Sequence, residues 1–218
     1  MIDRREELAS RRVQYEAAGL DVGDVAADPL TQWSRWYADA SAAGITEPNA
    51  MVVSTVADDG GADARFVLVR DQDDRGLVFH TNTDSTKGRQ LAARPLASGL
   101  FAWLDLHRQV RVRGPVEPID AATSDAYFAS RPRASQIGAW ASPQSQPIAD
   151  RTTLDRLVDA VTVRFDGAEI RRPPFWGGYR LVVEEAEFWQ GRPNRLHDRL
   201  RYRRAGPGPG WLVERLAP

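Results

Sequence analysis

The feature that most restricts the fold is a series of short β-branched stretches separated by acidic, glycine-containing turns. It reads AMVVSTVADDGGADARFVLVRDQDDRGLVFHTN and occupies residues 50–82. The tetrapeptides DDGG and DDRG are typical of turns that join neighbouring antiparallel strands. We therefore predict a meander of three strands, in which the side chains of the middle strand alternate between two faces. One face carries Arg65, Val67 and Val69, and the other carries Phe66, Leu68 and Arg70.

Helical patterns flank this meander. Residues 1–45 are predicted to be largely helical, and the second helix there begins at an Asp28 cap followed by a proline. A short helix is predicted at STKGRQLAARP and another at residues 120–130. A further helix is amphipathic, because apolar side chains recur at helical spacing from Leu154 to Val161.

The remaining segments read as strands and loops. Strands are predicted at LASGLFAWLDL, at RQVRVRGPVEPI and after RRPPF, and the chain from EFWQG to GWLVERLAP reads as two strands around a Gly/Pro-rich turn. SRPRASQIGAWASPQSQ reads as a loop. Because long strand-to-helix alternation is missing, we predict a mainly β fold, an antiparallel barrel or sheet with peripheral helices, and not a doubly wound fold.

Length and composition exclude several classes of protein. A chain of 218 residues can bury a core as one domain, residues 1–218. Its net charge of -1 gives no general attraction to nucleic acid or anionic membrane. It has no cysteine, which excludes disulfides and thiolate chemistry and fits a reducing compartment, so we expect a cytoplasmic protein. We expect neither a membrane span nor a signal segment.

The common catalytic signatures are also missing. There is no G-x-G-x-x-G after a strand, no Walker loop, no H-E-x-x-H and no G-x-S-x-G. The three histidines, His80, His107 and His197, lack metal-ligand spacing, so we expect no metal site. What remains is arginine beside aromatic and amide side chains. That combination suits planar, phosphorylated small molecules, because guanidinium both pairs with phosphate and stacks on rings.

Four segments carry this chemistry, and each has an ordinary structural interpretation. RFVLVR fits a ligand-lining strand or a strand with solvated ends. TNTDSTKGRQ fits a phosphate-binding helix start or a plain helix cap with a surface lysine. SRPRASQIGAWASPQSQ fits a binding loop or a connection. FWQGRPNRLHDRLRYRR fits a binding segment, or a core tryptophan, a structural histidine and a solvated strand face.

Taken together, the segments resemble the pyridoxamine (pyridoxine) 5′-phosphate oxidase family. The resemblance runs from about Arg12 to Pro218. It rests most strongly on SRPRASQIGAWAS and EFWQGRPNRLHDR, and it is supported by RFVLV, HTN, KG, RQVRVRGPVE, WGGYR and the terminal RLAP. It implies an FMN-binding split β-barrel of antiparallel, Greek-key type. It also implies a homodimer with FMN at the subunit interface and a C-terminal dimerisation and substrate segment at about residues 175–218.

The resemblance implies oxidation of pyridoxine or pyridoxamine 5′-phosphate to pyridoxal 5′-phosphate, with oxygen as acceptor and hydrogen peroxide as product. The flavin would perform the hydride chemistry while the protein supplies position and electrostatics. The implied FMN contacts are Arg65, Phe66, Val67, Leu68, Val69, Arg70, His80, Thr81, Thr86, Lys87, Gln109, Gln144, Ser145, Trp189 and Arg199. Among these, Arg65 and Lys87 match positions that contact the FMN phosphate.

Substrate contacts follow from the same resemblance. They are Arg12, Tyr15, Arg70, Tyr127, Arg131, Ser135, Arg195, Leu196 and His197. Arg70, Tyr127, Arg131 and Ser135 match the residues that hold the substrate phosphate. Arg195 and His197 match the catalytic pair placed over the substrate ring, and the segment from Arg12 to Tyr15 matches one that closes over the substrate.

Three residues depart from the family pattern. Arg70 replaces the usual lysine, Thr86 replaces a common arginine, and His80 replaces the usual tyrosine. We hypothesise that FMN binds more weakly than in members with arginine at position 86, and that Arg70 still binds substrate phosphate. The alternatives are a split-barrel flavoenzyme with another substrate, such as a phenazine-type one, or a non-catalytic carrier of pyridoxal phosphate or flavin. Nucleic-acid binding is disfavoured by the near-neutral charge.

Overall fold

The structure is a computed structural model that describes residues 19–206, 208 and 210–218. Arg12 and Tyr15 lie outside the described residues, as does all of the first predicted helix, residues 2–17. The described helices are α1 (Pro29–Ala42), α2 (Thr86–Ala93), α3 (Ala121–Ser130), α4 (Arg133–Ala141) and α5 (Arg151–Arg164). The strands are β1 (Ala50–Val56), β2 (Ala62–Gln72), β3 (Gly76–Asn82), β4 (Leu96–Trp103), β5 (Arg108–Pro118), β6 (Trp176–Val182), β7 (Glu185–Gln190), β8 (Asp198–Arg204) and β9 (Trp211–Arg215).

The chain divides into two compact units. One unit, here called the barrel unit, comprises residues 49–101 and 112–184. The other, here called the terminal unit, comprises residues 102–111, 185–218 and the described residues before 49. The expectation of one domain over residues 1–218 stays a prediction.

The barrel unit contains a closed six-stranded antiparallel barrel. Its strand order is β4-β1-β2-β3-β6-β5, and pairing of β4 with β5 closes it. Strands β1, β2 and β3 are the predicted meander, with Val53 opposite Arg65 and Val69 opposite Phe79. The prediction of a mainly β, antiparallel barrel with peripheral helices is therefore confirmed.

Alternation of side chains fills the barrel. Along β2, Val67 and Val69 are buried while Phe66 is 73% exposed, as the two-residue period predicts. The barrel interior takes its apolar residues from all six strands. They include Met51, Val53, Val67, Val69, Leu77, Phe79, Phe101, Val112 and Leu181.

Aromatic residues form the core of the terminal unit. Helix α1 begins at Asp28, whose carboxylate accepts from the N–H groups of Leu30 and Thr31, and it buries Trp33 and Trp36. The ring of Trp36 meets that of Phe188 edge to face, with centroids 5.2 Å apart. The C-terminal region has three strands, β7, β8 and β9, where the sequence indicated two, because EFWQ forms a strand of its own.

Helix α4 corrects the sequence interpretation. The sequence predicts a loop at residues 133–141, but they are helical. Ile137 and Ala141, four residues apart, are buried, and Ile137 belongs to a cluster with Phe128, Ile170 and Trp176. Tertiary packing of one short apolar face thus outweighs a local composition of arginine, serine and glycine. No helix in the described part of the chain is both long and apolar enough to cross a membrane.

Candidate active site

A cavity of about 680 Å³ opens in the barrel unit between β2, β3, α2, α3, α4 and β6. Its volume lies within the range of small-molecule sites. The lining residues are Phe66, Val67, Leu68, Arg70, His80, Thr81, Asn82, Lys87, Tyr127, Ser130, Arg131, Pro132, Ser135, Gly138, Ala139, Ser142, Gln144 and Trp176. Most of these are predicted site residues, so the fold gathers segments that are distant in sequence.

One end of the cavity is built around the ammonium of Lys87, which is only 8% exposed. Its Nζ donates to Thr81 Oγ1 at 2.7 Å and to Gln144 Oε1 at 3.1 Å. Burial, and then the charge of Arg65, lowers the pKa of Lys87 from 10.5 to about 8. Three predicted FMN contacts therefore share one hydrogen-bonded cluster, and its cation is held in a poorly solvated place where an anion is favoured.

The start of α2 positions this lysine. Ser85 caps the helix by accepting from the N–H of Gly88, and Lys87 follows two residues later. A Cβ on Gly88 would stand 2.1 Å from the carbonyl oxygen of Thr83, so only glycine allows the helix to approach this closely. The predicted helix start is confirmed, and Lys87 in its first turn lines the cavity.

The other end of the cavity is aromatic and cationic. The imidazole of His80 stacks on Tyr127 and on Trp176, with centroids 4.2 Å and 5.1 Å away. The guanidinium of Arg131 lies 4.8 Å from the centroid of Trp176. Neither the ring nitrogens of His80 nor Nη1 of Arg131 has a hydrogen-bond partner among the described residues. Buried donors without partners are costly, and a bound ligand is one way of satisfying them.

Burial and the neighbouring arginines favour the neutral form of His80. Burial, and then the positive charges of Arg131 and Arg70, lower the pKa of His80 from 6.5 to about 4. Asp71 acts in the opposite direction, and Arg172 adds to the lowering. This end of the cavity therefore has an excess of positive charge without a carboxylate among its lining residues.

Arg70 enters the cavity from an irregularity in β2. The pairing of β2 with β3 shifts between Val69, which faces Phe79, and Asp71, which faces Val78. Arg70 is thus the extra residue of a β-bulge. Bulges re-aim a side chain relative to regular alternation, and they are common next to active sites.

Several predicted cofactor residues lie elsewhere in the barrel unit. Val69 is a core residue, and Arg65 is not among the lining residues. The guanidinium of Arg65 instead pairs with Asp63 and donates to Thr55 and Gln90. Thr86 and Ser145 do not line the cavity either. The roles of these four residues stay predictions.

The terminal unit holds the other predicted residues: Gln109, Trp189, Arg195, Leu196, His197 and Arg199. The rings of Trp189 and His197 lie 4.6 Å apart. The backbone N–H of Arg192 donates to His197 Nδ1 at 3.1 Å, so the proton of neutral His197 is on Nε2. Burial, and then the charge of Arg195, lowers the pKa of His197.

Two further observations concern the neighbours of His197. Arg195 has a left-handed backbone with φ of 63°, which is unusual for arginine and is a common form of strain at functional sites. Arg199 is held firmly, because it donates to both oxygens of buried Glu187 at 2.8 Å and 3.2 Å. Leu196, also predicted, is 68% exposed.

Comparison with known proteins identifies the family. Residues 37–165 match the model for "Pyridoxamine 5'-phosphate oxidase", and residues 176–218 match that for "Pyridoxine 5'-phosphate oxidase C-terminal dimerisation region". The chain belongs to the pyridoxamine 5′-phosphate oxidase family. A curated relative from Burkholderia lata, a pyridoxine/pyridoxamine 5′-phosphate oxidase, is 54% identical over 97% of this chain and 99% of its own. Another, from Rubrobacter xylanophilus, is 50% identical over 98% of each.

Solved structures give the same fold. PhzG from Burkholderia lata, in complex with tetrahydrophenazine-1-carboxylic acid, matches with a TM-score of 0.87 and 32% identity, over 94% of this chain and all of that one. An FMN-binding protein from Nostoc punctiforme related to pyridoxamine 5′-phosphate oxidase matches with a TM-score of 0.68 and 18% identity, over 85% of this chain and 97% of that one. The predicted split barrel is therefore confirmed.

The family assignment supports FMN as the cofactor, and the cavity fits such a group. Its volume accommodates a planar ring system, it has a buried ammonium at one end, and the adjacent α2 start favours a phosphate. Lys87, Thr81, Gln144 and the β2 backbone from Phe66 to Arg70 are the residues that would hold it.

Sequence reasoning missed part of the lining. The residues that were not predicted are Asn82, Ser130, Pro132, Gly138, Ala139, Ser142 and Trp176. Four lining positions from Ser135 to Ser142 follow the i, i+3, i+4, i+7 spacing of one helix face. That signal was available in the sequence, but the expectation of a loop concealed it.

Proposed function

We propose that this protein is a pyridoxal 5′-phosphate synthase. It would oxidise pyridoxine 5′-phosphate and pyridoxamine 5′-phosphate with FMN as cofactor and oxygen as acceptor. The alcohol and oxygen give the aldehyde and hydrogen peroxide, and the amine additionally consumes water and releases ammonia. The observation that carries the proposal is a single cavity with a buried ammonium at one end and an arginine-rich aromatic cluster at the other.

The two ends would bind two phosphate groups. Lys87, with Thr81 and Gln144, would bind the cofactor phosphate, and Arg65 would add positive charge nearby. Arg70 and Arg131 would pair with the substrate phosphate, while Tyr127 and Ser135 would donate hydroxyl hydrogen bonds to it. Charge-assisted hydrogen bonds of this kind are about twice as strong as neutral ones. FMN, when bound, would supply the acceptor for the hydride that leaves the substrate carbon.

Arg195 and His197 match the pair that the family places over the substrate ring, and we propose the same role for them here. The neutral imidazole of His197 carries its proton on Nε2 and so offers one hydrogen-bond donor to a substrate oxygen or nitrogen. Glu187 fixes Arg199, which the family pattern assigns to the cofactor. We further propose a homodimer with FMN at the subunit interface, and the match of residues 176–218 to a dimerisation region supports it.

An anaerobic titration tests this function. The FMN-reconstituted protein would be titrated with pyridoxine 5′-phosphate while the visible absorbance of the flavin is followed, and air would then be admitted. We expect bleaching, recovery in air and formation of pyridoxal 5′-phosphate. Bound FMN that neither the alcohol nor the amine bleaches would reject the oxidase, and ligand binding without turnover would indicate a carrier.

A second candidate is a split-barrel flavoenzyme with a different, phenazine-type substrate. It is favoured by the similarity to PhzG and by Arg70, which has a broader, planar cation than the usual lysine. The higher identity to curated oxidases, 54% and 50% over nearly the full length, favours the phosphorylated vitamin. Bleaching by tetrahydrophenazine-1-carboxylic acid but not by either vitamin phosphate would select this alternative.

A further inference from the structure

Gly138 is a glycine whose presence the fold itself does not explain. It lies inside α4, where glycine is less favourable than any residue except proline, and its φ is not positive. Leaving aside its chain neighbours and the backbone of its own helix, no atom of the described residues lies within 4 Å of where its Cβ would stand. Gly88 of α2 differs, because a Cβ there would collide with a backbone carbonyl.

The open space above Gly138 belongs to the cavity, since Gly138 is one of the lining residues. Ser135, a predicted ligand of the substrate phosphate, lies one turn earlier and also lines the cavity. Three residues of helix correspond to about 4.5 Å along the axis. This distance is comparable with the reach from a phosphorus atom, through its ester oxygen and methylene group, to the ring that carries it.

We propose that Gly138 is a specificity-determining residue, whose bare backbone provides the surface on which the ring of the phosphorylated substrate packs. This inference rests on the proposed function. A phosphate bound between Arg131 and Ser135 would direct the ring along α4 towards Gly138. Any side chain at 138 would occupy the volume of that ring.

Two substitutions, Gly138→Ala and Gly138→Leu, test the proposal by equilibrium binding of pyridoxal 5′-phosphate to the FMN-loaded protein, followed by absorbance. We expect the Kd to rise about tenfold for alanine and further for leucine, because one methylene in a fitted pocket changes recognition by roughly that factor. Thermal unfolding of the cofactor-free protein should show no loss for Gly138→Ala, and a gain of about 2–4 °C is expected from helix propensity. Greater stability with weaker binding is not expected of a purely structural glycine.

Gly23→Ala is the matched control, because a Cβ on Gly23 would likewise meet no atom of the described residues within 4 Å, and Gly23 lies in the terminal unit. We expect its Kd to equal that of the wild type. A Kd within twofold of wild type for both Gly138 variants would overturn the proposal. So would a loss of FMN affinity alone, which would place the flavin at this surface, or an altered dimer dissociation constant alone, which would place a second subunit there.

The outcomes also separate this inference from the proposed function. Wild-type protein that binds pyridoxal 5′-phosphate but never bleaches in the anaerobic titration would reject the oxidase, while the Gly138 variants would still report on ring packing. Wild-type protein that does not bind pyridoxal 5′-phosphate at all would reject both.

Discussion

The imidazole of His80 stacks on the phenol of Tyr127 with ring centroids 4.2 Å apart. Tyr127 is a proposed ligand of the substrate phosphate. His80, which the sequence resemblance places where the family usually has tyrosine, stacks on it with a small ring that can accept a proton. Burial of the ring, and then the charges of Arg131 and Arg70, oppose its protonation in the folded protein by lowering the pKa of His80.

His80 should make stability depend on pH on the acid side. Unfolded His80 takes up its proton near pH 6.5, but folded His80 does so only near pH 4. Between these values the unfolded state binds more protons, so the free energy of unfolding should fall as pH is lowered. His80→Phe keeps a stacked ring and should reduce this slope. Urea unfolding at pH 7, 6 and 5 measures how the free energy of unfolding changes with pH. Equal slopes for the wild type and His80→Phe would contradict the prediction.

FMN affinity should fall as the pH rises through about 8. Lys87 has a pKa of about 8 in the protein without ligand, and a phosphate dianion prefers its charged form. Between pH 7.5 and 9 we expect the Kd to rise roughly threefold to tenfold. Quenching of flavin fluorescence measures it. In Lys87→Arg the side chain stays charged over this pH range, so the Kd for FMN should not change with pH. If the Kd rose equally in that variant, the titration of Lys87 would not be the cause.

Removing the charge at position 87 should weaken FMN binding at every pH. A hydrogen bond to a charged group contributes about 1.5–3 kcal/mol, so Lys87→Met should raise the Kd roughly tenfold to hundredfold at pH 7. The same titration with riboflavin, which lacks the phosphate, is the control. If Lys87→Met weakened riboflavin binding equally, Lys87 would not act on the phosphate.

An added arginine at position 86 should strengthen FMN binding. Thr86 begins α2 beside the Lys87 cluster, and its hydroxyl accepts from Arg89 at 3.4 Å. One further partly solvated cation is worth about 1 kcal/mol, so Thr86→Arg should lower the Kd roughly fivefold. Thr152→Arg, also in the first turn of a helix but exposed on α5, controls for net charge. An unchanged Kd in Thr86→Arg would end our hypothesis that Thr86 weakens binding.

The arginines of the aromatic end should determine the KM for phosphorylated substrate. Arg70→Ala and Arg131→Ala should each raise the KM for pyridoxine 5′-phosphate roughly tenfold to hundredfold, because each removes a charge-assisted hydrogen bond. Arg133→Ala is a matched control from the same motif, since Arg133 donates to the carbonyl of Ala168 and does not line the cavity. Steady-state kinetics measure the KM of each variant. KM values close to wild type for Arg70→Ala and Arg131→Ala would show that the substrate phosphate binds elsewhere.

Much of the fold follows from local sequence signals. DDGG and DDRG specify the meander, and Asp28, Ser85 and Asp120 specify three helix starts, because these signals act within a few residues. Helix α4 was not predicted from the sequence, because it depends on the packing of Ile137 against Phe128 and Trp176 of other elements. The sequence analysis missed part of the site for the same reason. Trp176 and Gly138 are recognised as site residues only once the fold shows that they line the cavity.

The bulge at Arg70 limits how this strand can vary through evolution. Val69 and Asp71 already lie opposite the neighbouring residues Phe79 and Val78, so deleting Arg70 would leave a regular ladder but abolish the bulge from which this side chain enters the cavity. Substitution leaves the bulge intact, and the exchange of lysine for arginine is of this kind. Position 70 should therefore admit a change of side chain far more readily than an insertion or a deletion.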